Sequence, residues 1–414
     1  MKVITAVLLG AGDRGMGAYA PYSLKHPDRL KMVAVAEPDT DKRKKFQALH
    51  QIDDAMCFEN WEDLLANDKL ADIALVCTQD RMHFEPTMQA LDKGYHVLLE
   101  KPMSPDLSEC VQMVEKAEEK RLILSVCHVL RYTKFFQTLK KIIKSGKIGD
   151  IICIQHNENV GYWHQAHSFV RGHWRNKAES NPMILAKSCH DMDILSWLID
   201  SNCRYISSFG SLKHFKKENA PEGAPLRCLD GCPVEDTCPY HVAKWYLGEN
   251  IGWPTSVISP DTSYDARLKA LKEGPFGRCV YHCDNDVVDH QVVIAEFENQ
   301  VSFAFTMCAF NKGGRSIKVM GSKGEIRALM EKNEIEILDF ETENKEVITV
   351  SRSASGHGGG DFGIISDFVK LVQENKTESL TSGRKSLESH VMAFAAEESR
   401  ISHQTINLSE FVKR

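Results

Sequence analysis

Short apolar runs alternate with amphipathic stretches along the first third of the chain. The apolar runs are rich in branched residues and suit strands that are buried on both faces of a parallel sheet. The predicted strands cover residues 3–9, 32–36, 72–77, 96–99 and 122–129. The predicted helices cover 61–66, 84–93 and 105–120, the last with Ser104 as its N-cap and Pro105 at its first position. This alternation predicts an α/β fold with a doubly wound parallel sheet.

The pattern changes beyond residue 128, where longer strands are separated by short turns. Residues 287–297 and 301–307 read as paired strands, 317–326 as strand, turn and strand, and 334–350 continues a meander. Helices are predicted at 135–145, from His190 onward, and at 362–374 and 386–402. We therefore place a domain boundary near residue 128, with the first domain at 1–128 and the second at 129–414.

Three glycines follow the first predicted strand in the sequence Gly10-Ala11-Gly12-Asp13-Arg14-Gly15. Their spacing is typical of a dinucleotide-binding turn, in which one glycine allows the tight turn, one lets the backbone approach the pyrophosphate and one allows close helix packing. The residues that begin the next helix, Asp13 and Arg14, add backbone N–H groups for the phosphates. We expect all five non-alanine positions to contact the cofactor.

An acidic residue ends the second predicted strand. Glu37 follows the glycine motif at about the spacing of the carboxylate that binds a ribose 2′-hydroxyl. A carboxylate there would repel a 2′-phosphate, so Glu37 favours NAD. Lys42 and Arg43 lie close enough in sequence to leave NADP open as an alternative.

The predicted strand at 96–99 ends abruptly in Glu100-Lys101-Pro102. A strand that ends in charge delivers those groups to the carboxyl edge of the sheet, where open α/β sheets bind ligands. Lys101 is therefore the first candidate for chemistry. The alternative is a solvated strand end, since most lysines are exposed.

Composition and charge argue against several classes of function. A chain of 414 residues exceeds what one core usually supports, so two domains are expected. A net charge of −6 gives no basic surface for nucleic acid and no polybasic membrane signal. The first residues lack a signal-peptide pattern and no apolar run reaches membrane-spanning length, so we expect a cytoplasmic protein that binds neither nucleic acid nor membrane.

Together these motifs, with Thr78 and His83 and with Gly94-Tyr95-His96-Val97 before the Glu-Lys-Pro stretch, resemble the Gfo/Idh/MocA oxidoreductase family. The resemblance implies an N-terminal Rossmann domain and a C-terminal α+β domain with an open, mostly antiparallel sheet. It implies that Lys101 meets nicotinamide and substrate, that Thr78, His83 and Glu100 contribute to the cofactor site, and that a cis bond precedes Pro102. It also implies a homo-oligomer, a dimer or tetramer, formed through the far face of the second sheet.

A second motif, His190-Asp191-Met192-Asp193, begins a predicted helix and matches the family's His-Asp-x-Asp. The resemblance implies that His190 accepts the proton of the substrate hydroxyl, a step that suits a neutral imidazole. Many relatives carry aspartate where this chain has Ala186. Lys187 stands beside it, and if it shares a helical face with His190 its charge and that of Lys101 would depress each other's pKa. The alternative is that Lys187 points to solvent.

Two further segments carry groups suited to a polyol, whose hydroxyls need donors and acceptors while its ring faces stack. Residues 162–175 concentrate aromatic and cationic side chains, of which we choose Arg171 and Trp174 as substrate contacts; the alternative is a surface loop with buried tryptophans. The segment Gly356-His357-Gly358-Gly359-Gly360-Asp361 offers His357 in a backbone that can approach a ligand closely. Its alternative is a flexible linker.

Clustered cysteines mark residues 211–285 as an insertion with few long apolar runs. Without a secretory signal, clustered thiols indicate metal ligands or reactive groups rather than disulfides. A four-thiolate structural zinc would give this insertion a core. We choose Cys228, Cys232, Cys238 and Cys279 as ligands, with Cys283 as the rival fourth; an iron–sulfur cluster and free thiols remain the alternatives.

The sequence therefore predicts an NAD(H)-dependent oxidoreductase that acts on a sugar, polyol or sugar derivative. One alternative is a redox-neutral NAD-dependent glycosidase, in which transient oxidation to a ketone permits elimination of the glycosidic bond. A second, from another class, is a nucleotide-binding regulator without catalysis.

Overall fold

The apolar runs of the first third form one parallel sheet. In the computed structural model, which describes residues 2–351 and 356–413, its strand order is β3-β2-β1-β4-β5-β6. This is the doubly wound order of a Rossmann domain, in which ligands bind at the carboxyl edge of the central strands. The strands are β1 (Ile4–Leu9), β2 (Leu30–Ala36), β3 (Cys57–Phe58), β4 (Ile73–Val76), β5 (His96–Leu99) and β6 (Leu124–Val126).

The helices of this domain begin close to the predicted residues, with one correction. The helix predicted over 105–120 covers Leu107–Glu119, and Asp106, not Ser104, is its N-cap, accepting from the backbone N–H groups of Ser108 and Glu109. The Ser104 hydroxyl accepts instead from the Asp106 backbone at 3.0 Å, so the chain makes a turn first. The helices are α1 (Pro21–Lys25), α2 (Thr40–His50), α3 (Trp61–Ala66), α4 (Phe84–Asp92) and α5 (Leu107–Glu119), with a π-helical segment at Asp13–Tyr19.

The second sheet has nine strands in the order β14-β13-β12-β11-β7-β10-β9-β8-β15. The pair β7 and β10 is parallel and the other neighbours are antiparallel. The predicted combination of a parallel sheet and an open, mostly antiparallel sheet is confirmed. The strands are β7 (Ile151–Asn159), β8 (Cys203–Ser211), β9 (His290–Phe297), β10 (Ser302–Cys308), β11 (Gly314–Gly321), β12 (Gly324–Leu329), β13 (Glu334–Asp339), β14 (Lys345–Thr349) and β15 (Ile406–Asn407).

One helix of the second half packs on the first sheet. This helix is α13 (Gly360–Gln373). Its face that carries Ile364, Ile365 and Phe368 is buried in one core with Ile4 and Leu8 of β1, so the two halves share apolar contacts. No helix in residues 2–351 and 356–413 combines the length and apolar character needed to span a bilayer. The remaining helices are α6 (Lys134–Lys144), α7 (Tyr162–His164), α8 (Met183–Ala186), α9 (Cys189–Ile199), α10 (Val242–Tyr246), α11 (Thr255–Ile258), α12 (Tyr264–Glu273), α14 (Gly383–Ser402) and α15 (Leu408–Phe411), with a π-helical segment at Gln165–Arg171.

The insertion at 211–285 shares an apolar cluster with the segment before it. Phe215, Tyr240 and Tyr246 are buried there beside Ala166 and Val170 of the Gln165–Arg171 segment. Aromatic side chains bury more area per residue than other side chains. These rings bury apolar surface between the insertion and that segment.

Candidate active site

The Glu-Lys-Pro stretch lies at the carboxyl edge of β5, and Lys101 reaches across to the second half of the chain. Its Nζ donates a hydrogen bond to the carbonyl oxygen of Ala186, the last residue of α8, at 2.6 Å. The last carbonyls of a helix have no partner within it, and this one is used by the lysine. A main-chain carbonyl thus contacts Lys101 at the position where many relatives carry an aspartate. The peptide bond between Lys101 and Pro102 is cis, as the resemblance implied.

Two buried histidines hold the turn that follows Lys101. His83 places Nδ1 2.7 Å from the carbonyl oxygen of Pro102 and Nε2 3.1 Å from that of Thr78. On the other side, His390 Nε2 accepts from the backbone N–H of Met103 at 2.9 Å. The predicted pair Thr78 and His83 is therefore brought together, and its role in the cofactor site stays a prediction. His390, which the sequence did not single out, restrains the same turn from α14.

His190 lies in the first turn of α9, directly after a break in the chain path. The break separates α8 from α9 at Lys187 and Ser188. Lys187 and His190 consequently do not sit on one continuous helix, so the condition for a shared helical face is not met. The break leaves the Ala186 carbonyl free to meet Lys101 and places that contact close in sequence to His190.

The two carboxylates of the His-Asp-x-Asp motif anchor α9 from either side. Asp191 accepts from Arg315 Nε at 2.8 Å, and Asp193 accepts from Nε and Nη2 of Arg131, both at 2.7 Å. Both carboxylates are fully buried. Paired buried charges of this kind fix geometry, because removing one partner leaves an uncompensated charge. These ion pairs hold α9, and His190 with it, in place, and neither pair uses a nitrogen of the His190 ring.

The imidazole of His190 lies in surroundings that favour its neutral form. Burial lowers its pKa well below the usual value, and Lys101, His128 and His357 add to that effect. The ring is 6% exposed, and among the described residues its Nδ1 has no hydrogen-bond partner. A neutral imidazole is able to accept a proton from a hydroxyl that is bound against it.

Lys187 points inward rather than to solvent. Its Nζ lies 3.5 Å from Glu158 Oε1, and its side chain is 19% exposed. Burial lowers the pKa of Lys187; Glu158 opposes that shift, while Arg315 and Lys101 reinforce it. The predicted repulsion from Lys101 is therefore in the right direction but is a smaller cause than burial. A catalytic role for Lys187 stays a prediction.

The glycine turn between β1 and the Asp13–Tyr19 segment has the shape that a dinucleotide needs. A Cβ on Gly10, whose φ is +94°, would lie 2.6 Å from the Cys77 carbonyl oxygen, and one on Gly15 would lie 2.3 Å from that of Gly10. A Cβ on Gly12 would meet nothing within 4 Å among the described residues. Two glycines are thus packed tightly while Gly12 leaves the turn open, which fits close approach of a pyrophosphate. Asp13 is exposed at the start of the following segment.

Glu37 is turned toward the glycine turn. Its Oε2 accepts from the backbone N–H of Ala11 at 2.7 Å and its Oε1 from that of Asp39 at 3.1 Å. Each oxygen retains a second lone pair for a ribose hydroxyl. Lys42 pairs with Asp39 at 3.5 Å, and Arg43 donates to the Glu37 carbonyl, so both candidate contacts for a 2′-phosphate are engaged within this loop.

Arg14 ties the glycine turn to two distant parts of the chain. Its Nε lies 2.7 Å from Glu100 Oε1 and its Nη2 lies 2.8 Å from Asp361 Oδ1, near the start of α13. Tyr19 also donates to Glu100. Burial alone would raise the pKa of Glu100, but Arg14, Lys101 and the Tyr19 hydrogen bond outweigh it and lower the pKa. Arg14 therefore neutralises the carboxylate beside Lys101, in addition to its predicted contact with the cofactor.

The structure brings His357 to the candidate site and places Trp174 at its edge. The His357 ring centroid lies 6.3 Å from that of His190, and its Nδ1 lies 3.1 Å from Asp361 Oδ1. Its side chain is 43% exposed, so a ligand can reach it. Trp174 donates from Nε1 to Asp80 Oδ2 at 3.1 Å, which fixes the indole against the first domain. Substrate contacts by both residues stay predictions.

Several charged residues that hold the site together were not among the predicted site residues. Asp80 accepts from Asn181 Nδ2 at 2.7 Å as well as from Trp174, and it follows β4 at the same sheet edge as Lys101. The position of Asp80 shortly after a predicted strand could have identified it from the sequence. Arg131, directly after an apolar stretch, carried a weaker signal. Arg315 carried none, because its partners are distant in sequence.

Arg171 does not lie in an open pocket, which corrects its assignment as a substrate contact. It is 1% exposed, and it donates from Nε to the Arg278 carbonyl at 2.7 Å and from Nη2 to the Tyr240 carbonyl at 2.8 Å. Both acceptors belong to the insertion. A guanidinium has several donors in a fixed plane. It can therefore donate to buried carbonyls that have no partner in a β-sheet. Arg171 therefore joins the insertion to the Gln165–Arg171 segment.

Replacing Arg171 with methionine is expected to lower the free energy of unfolding by about 3 kcal/mol, because two buried carbonyls lose their donors. Urea denaturation measures the loss, and limited proteolysis should show faster cleavage within 211–285. Arg175→Met is the control; Arg175 pairs with the half-exposed Asp284, so its loss should cost less than about 1 kcal/mol. Equal stability of the two variants, with a raised KM only for R171M, would restore the original assignment.

The zinc prediction is not supported. The four chosen thiols, of Cys228, Cys232, Cys238 and Cys279, do line one small cavity with Arg171. However, among residues 2–351 and 356–413 no three His, Cys, Asp or Glu side chains are grouped so as to hold a metal ion. Arg171 Nη2 lies 3.7 Å from Cys228 Sγ. The hydrogen bond from Cys279 lowers the pKa of the Cys228 thiol against burial, and Arg171 adds to the lowering. A guanidinium thus supplies the positive charge at this thiol.

Comparison with known proteins agrees with this geometry. The model of the Gfo/Idh/MocA oxidoreductase family, NAD-binding Rossmann fold, matches residues 4–128. The model of the C-terminal alpha/beta domain of the same family matches residues 140–408. Among solved structures, an oxidoreductase from Agrobacterium radiobacter in complex with NAD+, L-tartaric acid and magnesium has a TM-score of 0.71 at 14% identity, covering 99% of this chain and 100% of that one. That likeness shows the shared fold.

Three curated relatives illustrate the range of similarity. The putative oxidoreductase YteT of Bacillus subtilis is 25% identical over 342 residues, 77% of this chain and 76% of the relative. The scyllo-inositol 2-dehydrogenase (NADP(+)) IolW of B. subtilis is 29% identical over 43% of this chain and 46% of its own length. The 2,7-anhydro-N-acetylneuraminate hydratase of Escherichia coli is 28% identical over 33% and 36%. The last two matches span less than half of each relative.

The family assignment rests on both halves of the chain. The glycine turn, the strand-end lysine and the His-Asp-x-Asp helix occur in the matched regions. The order of the first sheet and the mixed second sheet agree with them. The chain belongs to the Gfo/Idh/MocA family of oxidoreductases, with an NAD-binding Rossmann domain followed by a C-terminal α/β domain.

Proposed function

We propose that the protein is an NAD(H)-dependent oxidoreductase that transfers a hydride between nicotinamide and a hydroxyl-bearing carbon of a sugar, polyol or sugar derivative. The observation that carries the proposal is the 2.6 Å hydrogen bond from Lys101 Nζ to the Ala186 carbonyl, which brings the strand-end lysine of the NAD-binding domain to the segment that precedes His190. The relationship to IolW, named as an inositol dehydrogenase, supports a polyol or sugar as substrate.

Each side chain of the site has a separate role at the substrate hydroxyl. NAD, when bound, supplies the hydride acceptor. His190, kept neutral by burial, accepts the hydroxyl proton, while Lys101 donates a hydrogen bond to the same oxygen and stabilises negative charge that develops there. His357 and Trp174 orient the remaining hydroxyls and the ring face. Lys187 is the candidate for a second amine near this path.

The direct test is to identify bound nucleotide by mass spectrometry of the purified protein and then to measure NADH formation with a panel of sugars and polyols. We expect bound NAD and NADH formation with at least one member of the panel. Nucleotide binding without turnover of any member would favour the alternative of a non-catalytic regulator. Absence of both would contradict the proposal.

One observation favours keeping the redox-neutral glycosidase as a second candidate. A relative is named as a hydratase of an anhydro sugar, which describes addition of water rather than net oxidation. The two candidates differ in what accumulates. A dehydrogenase forms NADH in proportion to the oxidised sugar, whereas the glycosidase releases the leaving alcohol of a glycoside while the NAD stays bound and no NADH accumulates.

We also propose a homo-oligomer, a dimer or tetramer, formed through the outer face of the second sheet. Phe209, Val292 and Ile294 are 61%, 40% and 52% exposed there, and Phe209 pairs with Val292 across adjacent strands. Ile294→Asp is expected to convert the oligomer to a monomer, measured by size-exclusion chromatography with light scattering, because a charge in an apolar interface is left unpaired. Glu296→Gln, on the same exposed face, is the control. A monomeric wild-type protein would contradict this proposal.

A further inference from the structure

Aromatic rings from two separate parts of the chain meet where the insertion folds over α7. Trp163 stacks on Trp245, with ring centroids 5.6 Å apart and an angle of 19° between the planes. Trp253 lies 5.3 Å from Trp163 and 5.0 Å from His164, with its ring steeply inclined to both. Trp253 is 42% exposed, and Trp163 and His164 are partly exposed. The insertion and α7 thus build one aromatic surface that solvent reaches.

Ring contacts link this surface to the candidate active site through the buried side chain of Phe169. His164 contacts Phe169 at 6.0 Å between centroids, and Phe169 contacts Trp174 at the same separation. The ring contacts therefore lead from Trp253 to Trp174. The indole of Trp174 donates a hydrogen bond to Asp80, at the sheet edge that carries Lys101. Burial lowers the pKa of His164, and the charge of Lys187 adds to that lowering, which places this ring within electrostatic reach of the site.

Two hydrogen bonds restrain the segment that carries Trp253, one within the segment and one to α10. Asn250 Nδ2 donates to the Trp253 carbonyl at 3.3 Å. Thr255, which is fully buried, donates from Oγ1 to the Trp245 carbonyl, also at 3.3 Å. These bonds restrict the backbone that presents the exposed indole, which lowers the cost of ordering this loop when a ligand stacks on it.

We propose that Trp163, His164 and Trp253 form a stacking subsite for a second sugar unit, so that the substrate is a glycoside of at least disaccharide size. The proposal rests on the proposed function and names its substrate class. Aromatic faces provide large, rigid apolar contact area that matches the C–H face of a pyranose, while an imidazole among them offers hydrogen bonds to ring hydroxyls. A ligand site of this kind combines apolar walls with a few placed polar groups.

The test compares matched pairs of ligands on the NAD-loaded protein by titration calorimetry and steady-state kinetics. The pairs are cellobiose with methyl β-glucoside, maltose with methyl α-glucoside, and lactose with methyl β-galactoside. We expect wild type to bind the disaccharide of at least one pair about tenfold more tightly than its methyl glycoside, and Trp253→Ala to remove that difference while leaving the methyl glycoside unchanged. Trp253→Phe should retain most of the preference, and Ile251→Ala, at an exposed position in the same segment, should retain all of it.

The outcomes separate this inference from the proposed function. Equal binding of both members of every pair by wild type, or equal weakening of both members in W253A, overturns the subsite while the hydride transfer stands. Failure of wild type to form NADH or release alcohol with any sugar of the broad panel contradicts the proposed function itself. Selective loss of the disaccharide preference in W253A, with the preference kept in W253F and I251A, supports the subsite.

Discussion

Replacing Lys101 with methionine is expected to lower kcat for the oxidised sugar roughly 10³-fold, which is within the range for loss of a positioned proton-handling group. The side chain of methionine is similar in length to that of lysine but has no N–H, so it loses both the hydrogen bond to the Ala186 carbonyl and the donor to the substrate oxygen. Bound NAD should remain, because the glycine turn and Glu37 are untouched. Steady-state kinetics and mass spectrometry of the purified variant measure the two effects.

Two other lysine variants make this result specific. Lys69→Met removes a lysine that donates to the Gly94 carbonyl on the surface of the same domain, and it should leave kcat unchanged. Lys187→Met distinguishes the two lysines near the site: a loss smaller than that of K101M assigns the main role to Lys101, and an equal loss assigns a shared one. Wild-type turnover in K101M would remove Lys101 from the mechanism.

Replacing His190 with asparagine is expected to lower kcat/KM by roughly 10²- to 10⁴-fold for oxidation, because asparagine can hydrogen-bond a hydroxyl but cannot accept its proton near neutral pH. The pH dependence tests the cause. The folded protein holds the pKa of His190 well below the usual value, so the base form persists as pH falls. Wild-type kcat/KM should therefore be constant from pH 7 to below pH 6. Its decrease at acid pH, the acid limb, should begin only below that range.

The residual activity of H190N should lack that acid limb, because the titrating group is gone. His357→Asn is the comparison: its partly exposed ring contacts Asp361 near the site, and we expect a raised KM with a smaller change in kcat. An acid limb near pH 6.5 in wild type would show that His190 titrates as an exposed histidine does, against the burial observed. Unchanged kcat/KM in H190N would exclude it as the proton acceptor.

Local pattern was sufficient for most of the first sheet. The strand at 96–99 is observed at His96–Leu99, and the helix at 61–66 at Trp61–Ala66, because buried strands and capped helices are encoded by short runs of residues. The cap of α5 was misplaced by two residues for a local reason as well, since Ser104 serves a turn before the helix. The start of α9 was predicted near His190 and is observed at Cys189, whereas the short helix α8 before it was not predicted.

Contacts between distant residues decided the rest of the site. Arg171 resembled a substrate contact because a cation among aromatic residues suits a polyol, but folding placed two insertion carbonyls around it. The clustered cysteines were predicted to bind zinc; four of them line one small cavity, but the same guanidinium lies beside Cys228. Neither outcome depends on spacing along the chain, because the partners of Arg171 are supplied by tertiary packing.

The sequence by itself determined the parallel sheet, the glycine turn and the delivery of Lys101 to the sheet edge, because each follows from residues close together in the chain. The tertiary structure alone decided what Lys101 meets. The helix break after Ala186 presents a main-chain carbonyl to its amine, Asp191 and Asp193 are bound by Arg315 and Arg131, and the insertion brings Trp253 to His164. These contacts join residues far apart in sequence, and only the packing of the two sheets and the insertion sets their distances.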